Sequence, residues 1–136
     1  MSNDEESGPT HLLAVLKRDF GDALRSLVEY TPGESRIHYL REDIASDTAN
    51  GRLVRIEQLY QAERLNNSPI TQDPELDRLH VSLFCFDGAL VVHLVDEGGA
   101  VLGFSLDRDT HVDLVALRDY FEAAFGYLPE SLGALT

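Results

Sequence analysis

The chain has 136 residues, 43% of them apolar, with no tryptophan, one cysteine and a formal net charge of -13. That length suits one domain with a self-sufficient core. The lone Cys85 excludes an internal disulfide, and the lack of a basic stripe argues against direct binding of nucleic acid or of an anionic membrane.

Acidic residues number 24 against 11 basic ones, and Lys17 is the only lysine. So acidic a domain repels itself at low ionic strength. In molar salt the Debye length falls to about 3 Å and the repulsion fades. This is the balance expected of a cytosolic protein from a salt-in halophile, which would need high salt to fold; an ordinary acidic protein and a DNA mimic are the alternatives, and the near absence of lysine ranks both lower. There is no signal-peptide pattern and no apolar run of about 18 residues, so neither export nor membrane insertion is expected.

Residues 1–9, MSNDEESGP, read as a disordered acidic leader. A single domain is expected over residues 10–126, followed by a loosely attached tail over 127–136. Thr10 suits an N-cap for a first helix reaching to about Tyr30, because Leu13, Leu16, Phe20, Leu24 and Leu27 recur at spacings of three and four. Gly21 inside it suggests a close crossing or a bend, and Thr31-Pro32-Gly33 ends it. Arg36–Arg41 reads as a short strand whose flanking arginines protect an edge, at the sheet's rim or at a dimer seam. A second helix is expected from Ser46 or Asp47 to about Leu65, with Ala49, Leu53, Ile56, Leu59 and Tyr60 on its narrow apolar face. Residues 66–77, which carry two prolines, read as a loop.

The stretch Leu79–Leu106 is the densest apolar run, broken at Asp87-Gly88 and Gly98-Gly99, and predicts a three-stranded antiparallel meander. With Asp87 and Gly88 at the centre of a type I′ turn, Phe84 faces Val91, Ser82 faces His93 and His80 faces Val95. A two-residue turn at Gly98-Gly99 then puts Val101, Gly103 and Ser105 on the face of Val92 and Leu94. Leu102, Phe104 and Leu106 join His80, Ser82, Phe84 and His93 on the other. Both faces are apolar enough to need cover. A last helix begins with Thr110 as N-cap, buries Leu114, Leu117, Phe121, Ala124 and Phe125, and stops at Gly126.

The element order is helix, strand, helix, three-stranded meander, helix. It predicts an α+β fold built as a three-layer α/β/α sandwich, similar in topology to the roadblock, longin and profilin-like folds. The motifs Tyr39-Leu40-Arg41-Glu42-Asp43, His80 through Gly88, Val91-Val92-His93 and Phe104-Ser105-Leu106-Asp107 resemble a set of small uncharacterised haloarchaeal proteins. That resemblance spans about Leu12 to Phe125 and implies a salt-in cytoplasm and no known activity.

No catalytic motif, cofactor fingerprint or metal-ligand spacing stands out, so no cofactor or metal is expected. The chain reads first as a non-enzymatic protein-protein interaction or regulatory adaptor module, a homodimer or complex subunit. Its docking face would bear His80, His93 and Phe104. An alternative is a ligand-sensing domain with a pocket lined by Tyr39, Tyr60, His80 and His93. A second alternative is a hydrolase in which Ser82 is the nucleophile and His93 the base, although no acid stands behind His93. Such histidines are more often satisfied core residues than ligands.

Overall fold

The computed structural model describes residues 7–31, 34–45 and 73–135. The fold is mixed α+β, and its sheet is larger than the expected meander with one flanking strand: five antiparallel strands in the order β2-β1-β5-β4-β3. They are β1 (Leu24–Thr31), β2 (Glu34–Leu40), β3 (Val81–Cys85), β4 (Leu90–Val95) and β5 (Val101–Leu106). Among the described residues the helices are α1 (Pro9–Phe20), the short α2 (Glu42–Ala45), α3 (Ala116–Phe125) and the short α4 (Glu130–Gly133). The expected second helix and most of residues 66–77 lie outside the described residues. Asp73–Asp77 form a turn, with the amides of Leu76 and Asp77 donating to the Asp73 carbonyl.

Three sequence expectations change. The first helix does not run to Tyr30. It starts at Pro9, whose fixed φ suits a first helical position, and it ends at Gly21, which sits at φ 54, ψ -125, a conformation that L residues avoid. A 3₁₀ turn over Gly21–Ala23 follows, and then the chain extends into β1. Leu24 and Leu27 mimic a helical spacing because β1 is a central strand bulged between Leu24 and Ser26, which puts Leu24 and Leu27 on one face.

The second change concerns the faces of β5. The β3–β4 register is the expected one, Ser82 opposite His93 and Phe84 opposite Val91, and the Phe86 amide donates to the Ala89 carbonyl. Neither Asp87 nor Gly88 has a positive φ, so the turn is not type I′. Between β4 and β5, however, Asp96 pairs with Ala100, so the loop proper is Glu97-Gly98-Gly99, with Gly99 at φ 94. A loop of odd length reverses face parity relative to a two-residue turn. His93 therefore faces Gly103, and Val92 faces Phe104.

Third, the last helix begins only at Ala116, with no side-chain cap bond; the Asp113 Oδ1 accepts from the Val115 amide at 2.9 Å in the turn before it, and Thr110 closes a turn on Asp107. Leu114 is consequently outside the helix and exposed, while Gly126 at φ 80 ends α3 in the left-handed cap. The segment after it is attached. Leu132 is buried, the Tyr127 hydroxyl donates to Asp96, and Arg118 donates to the Leu135 carbonyl.

Helices α1 and α3 pack on one face of the sheet, the helix face. There Leu12 and Leu16 meet Leu24, Leu27, Val92, Leu94, Leu102, Phe104, Leu106, Leu117 and Phe121. Each such fully buried apolar side chain contributes about 1.5–3 kcal/mol. Tyr120 ties the two helices by donating to the Asp19 carboxylate at 2.8 Å; burial first, and this bond second, push its phenol pKa well up. On the far face Ser26, Val28, Tyr30, Val91, His93, Val101, Gly103 and Ser105 are also buried. The Ser26 and Ser105 hydroxyls satisfy each other at 2.5 Å. Both faces of the central strands are thus closed to water within one chain.

Candidate interaction site

With both faces buried at the centre, the sheet meets solvent at its two edges, and their chemistry differs. The β2 edge is charged: Glu34 and Arg36 point outward and pair loosely at 3.5 Å. At a bulge in this edge His38 Nε2 lies 2.9 Å from the Glu29 carboxylate. Such charges deter pairing with another strand. The end of β2 is anchored by Arg41, which does not guard the edge. It donates to Asp43, to both carboxylate oxygens of Asp107 and to the Asp22 carbonyl, joining the start of α2, the end of β5 and the 3₁₀ turn. The hydrogen bond from Arg41 holds the Asp43 carboxyl below its usual range.

The β3 edge is the opposite case. Val81-Ser82-Leu83-Phe84-Cys85 contains no charge and no proline, and β3 pairs only with β4 among the described strands. Leu83 is 43% exposed, Phe86 is 41% exposed and stacks on Phe84, and the Cys85 side is open to solvent. The ladder fixes which backbone groups are free. The Val95 amide donates to the His80 carbonyl, and the Phe86 amide donates to Ala89. Because hydrogen-bonded and non-bonded pairs alternate in an antiparallel ladder, His80, Ser82, Phe84 and Phe86 turn their amides and carbonyls to β4. Val81, Leu83 and Cys85 turn theirs outward. An uncharged row of donors and acceptors that no other described strand pairs is a template for another strand.

The residues singled out from sequence are not gathered in one place. Tyr39 lies on the helix face, with Lys17 Nζ 4.8 Å from its ring centre. Phe104 is fully buried on that same face, between Phe20 and Tyr120. His80 meets Phe121 edge-on at 5.9 Å. His93 is buried on the far face between Tyr30 and Phe84. Tyr60 is outside the described residues. Because β5 has the reverse parity, His93 and Phe104 face opposite ways and neither reaches solvent, so the docking face bearing His80, His93 and Phe104 does not form.

Ser82 and His93 are direct cross-strand neighbours, yet Ser82 Oγ and both ring nitrogens of His93 have no hydrogen-bond partner. They therefore do not form the nucleophile-base couple that a hydrolase requires. Burial alone pushes the His93 pKa down to about 4, so the ring is neutral at pH 7. Among the described residues no cluster of three His, Cys, Asp or Glu could hold a metal ion, and no helix is long and apolar enough to cross a membrane. Sequence reasoning missed the exposed edge. The run VSLFC has no guarding charge, but the central strand LVVHLV has none either, so no sequence signal marked the first as an edge.

A small α+β domain whose antiparallel sheet is buried on both faces at its centre, and whose uncharged edge strand β3 has no further partner among the described strands, is the class these observations define. The chain belongs to the family described as Domain of unknown function DUF7522, whose model matches residues 10–126. That match begins one residue into α1 and ends at the Gly126 cap. Neither the curated proteins nor the solved structures compared with the chain include a match.

Proposed function

We propose that this chain is a non-enzymatic interaction module, a homodimer or a subunit of a larger complex, that docks a partner strand on the β3 edge. The observation that carries the reading is the pairing of outward-facing backbone at Val81, Leu83 and Cys85 with exposed apolar side chains at Leu83 and Phe86. Strand addition draws affinity from main-chain hydrogen bonds and specificity from alternate side chains. The neutral, sequestered His93 and the unpaired Ser82 give no support to catalysis.

In this reading the domain is a three-layer α/β/α sandwich, similar by topology alone to the roadblock, longin and profilin-like folds. It works in a salt-in cytoplasm, where the excess of acids keeps it soluble and the uncharged edge is the place where association is cheap.

The test is capture at molar salt from cells that also express a differently tagged copy of the chain. Leu83→Pro removes an outward amide that the β3–β4 ladder does not use, a position where an edge strand tolerates proline. Partners retained by the wild type and by Ile37→Lys on the opposite edge, and lost with Leu83→Pro, are the expected outcome. Equal recovery by all three would refute the reading.

A further inference from the structure

We infer that the strand docked on the β3 edge is the β3 strand of a second copy of this chain, related by a two-fold axis through Leu83, so that two sheets join into one. The inference rests on the β3 edge being the docking site and adds the partner's identity and register.

A two-fold axis normal to the sheet makes the two edge strands antiparallel and pairs some residue with itself. The outward-facing residues are Val81, Leu83 and Cys85, and Leu83 is the middle of that set. With Leu83 opposite Leu83, Val81 of each copy meets Cys85 of the other. Every outward amide and carbonyl of the strand then has a partner, and the two exposed Leu83 side chains lie across from one another. Moving the axis to Ser82 or Phe84 leaves one end of the outward row without a strand opposite. The edge is therefore most complementary to itself at a single register.

Side chains next to the strand agree with that register. Ser82 of one copy falls opposite Phe84 of the other, on the face where Phe84 stacks with the exposed Phe86 ring. Beyond them Arg78 ends up one residue from Asp87 of the second copy, twice over. Within its own chain Arg78 pairs with Glu97 at 3.8 Å and stays 59% exposed, so a solvent-facing cation lies near one end of the strand and an acid, Asp87, near the other. An antiparallel second copy brings unlike charges together at both ends, and the uncharged strand between them adds no repulsion. At molar salt the remaining acidic surface is screened within about 3 Å.

The register predicts its own cross-links. Wild-type chains stay unlinked under oxidation, because Cys85 faces Val81 and the two Cys85 residues are about 13 Å apart, four residues along a strand. Leu83→Cys/Cys85→Ser places the introduced thiols opposite each other, and oxidation of the two thiols to one disulfide, with the electrons passing to a copper-phenanthroline oxidant, converts the chain to a covalent dimer. Leu83→Cys with Cys85 retained reports the Phe84-centred register through a Cys85 cross-link.

The experiment measures mass by light scattering in molar potassium chloride, together with these cross-links. A mass twice the 15.1 kDa of the chain, reduced to the single chain by Leu83→Lys and by Leu83→Pro with the far-ultraviolet dichroism unchanged, and covalent dimer from the double variant, are the expected results. A dimer that survives both Leu83 substitutions overturns the inference, and so does cross-linking that requires Cys85. A wild-type monomer whose captured partner is lost with Leu83→Pro overturns the second copy and leaves edge docking intact. A wild-type monomer whose capture is indifferent to Leu83→Pro overturns both.

Discussion

Gly103 and His93 provide a test of the β5 register that depends on a single contact. A methyl group at position 103 would lie 2.7 Å from His93 Cδ2, 3.0 Å from Nε2 and 3.6 Å from Tyr30 Cε2. His93 has little room to yield, because it is fully buried and flanked by Tyr30 and Phe84 with ring centres at 6.3 and 5.5 Å. Gly103→Ala therefore overpacks the far face and should cost about 1–3 kcal/mol. His93→Ala removes the ring and opens a cavity at a cost of about 1–3 kcal/mol, reduced because it also removes two buried nitrogens that have no partner. In the double variant the new methyl group enters the space left by the imidazole. It should be more stable than the sum of the singles by about 1–2 kcal/mol. Urea titration at constant molar potassium chloride, followed by circular dichroism, measures all four corners of the cycle. A coupling below about 0.5 kcal/mol would mean that the two residues do not share a face. That is the result a two-residue turn at Gly98-Gly99 would give.

Four further outcomes follow. Because the His93 pKa is about 4 in the fold, against 6.5 for the free group, the unfolded chain takes up its proton first as pH falls. The contribution of the neutral ring is complete above about pH 6.5, is lost progressively between about 6.5 and 4, and amounts to about 3 kcal/mol. His93→Phe should flatten that part of the stability profile, and an unchanged slope would show that the ring is not sequestered. Arg41→Lys keeps the charge but loses the forked contacts to Asp43 and Asp107, and should lower stability by about 1–3 kcal/mol in the same urea assay. Gly99→Ala forces an L residue to φ 94 and should cost about 1 kcal/mol or more, with the β4–β5 amides exchanging faster. With a net charge of -13, dialysis into dilute buffer should abolish cooperative unfolding, and a sharp thermal transition there would contradict the halophilic reading.

The β3–β4 hairpin was legible because two alternating runs flank a two-residue break, and register follows from loop length even though the turn class differs. The β2 edge was legible from its charges, and the end of α3 from Gly126. β1 was not. A central strand buried on both faces loses its period of two, and the bulge beside Leu24 completes a helical spacing with Phe20 and Leu27 by coincidence. Gly21 was the residue that marked the break. The parity of β5 turned on whether Glu97 belongs to the loop, which composition does not decide. The candidate edge escaped notice for a related reason. VSLFC and LVVHLV read alike as sequence, and only strand order makes the first an edge and the second a core strand.

Residue-resolved amide hydrogen exchange across β3, recorded in molar potassium chloride over a range of protein concentrations, tests most directly the claim that the β3 edge is open to a partner strand. The amides of Ser82 and Phe84 should be protected at every concentration, because they face β4, while those of Val81, Leu83 and Cys85 should gain protection as the concentration rises. Protection of Leu83 that is strong and indifferent to concentration would contradict the account, since the edge would then be covered by the chain itself.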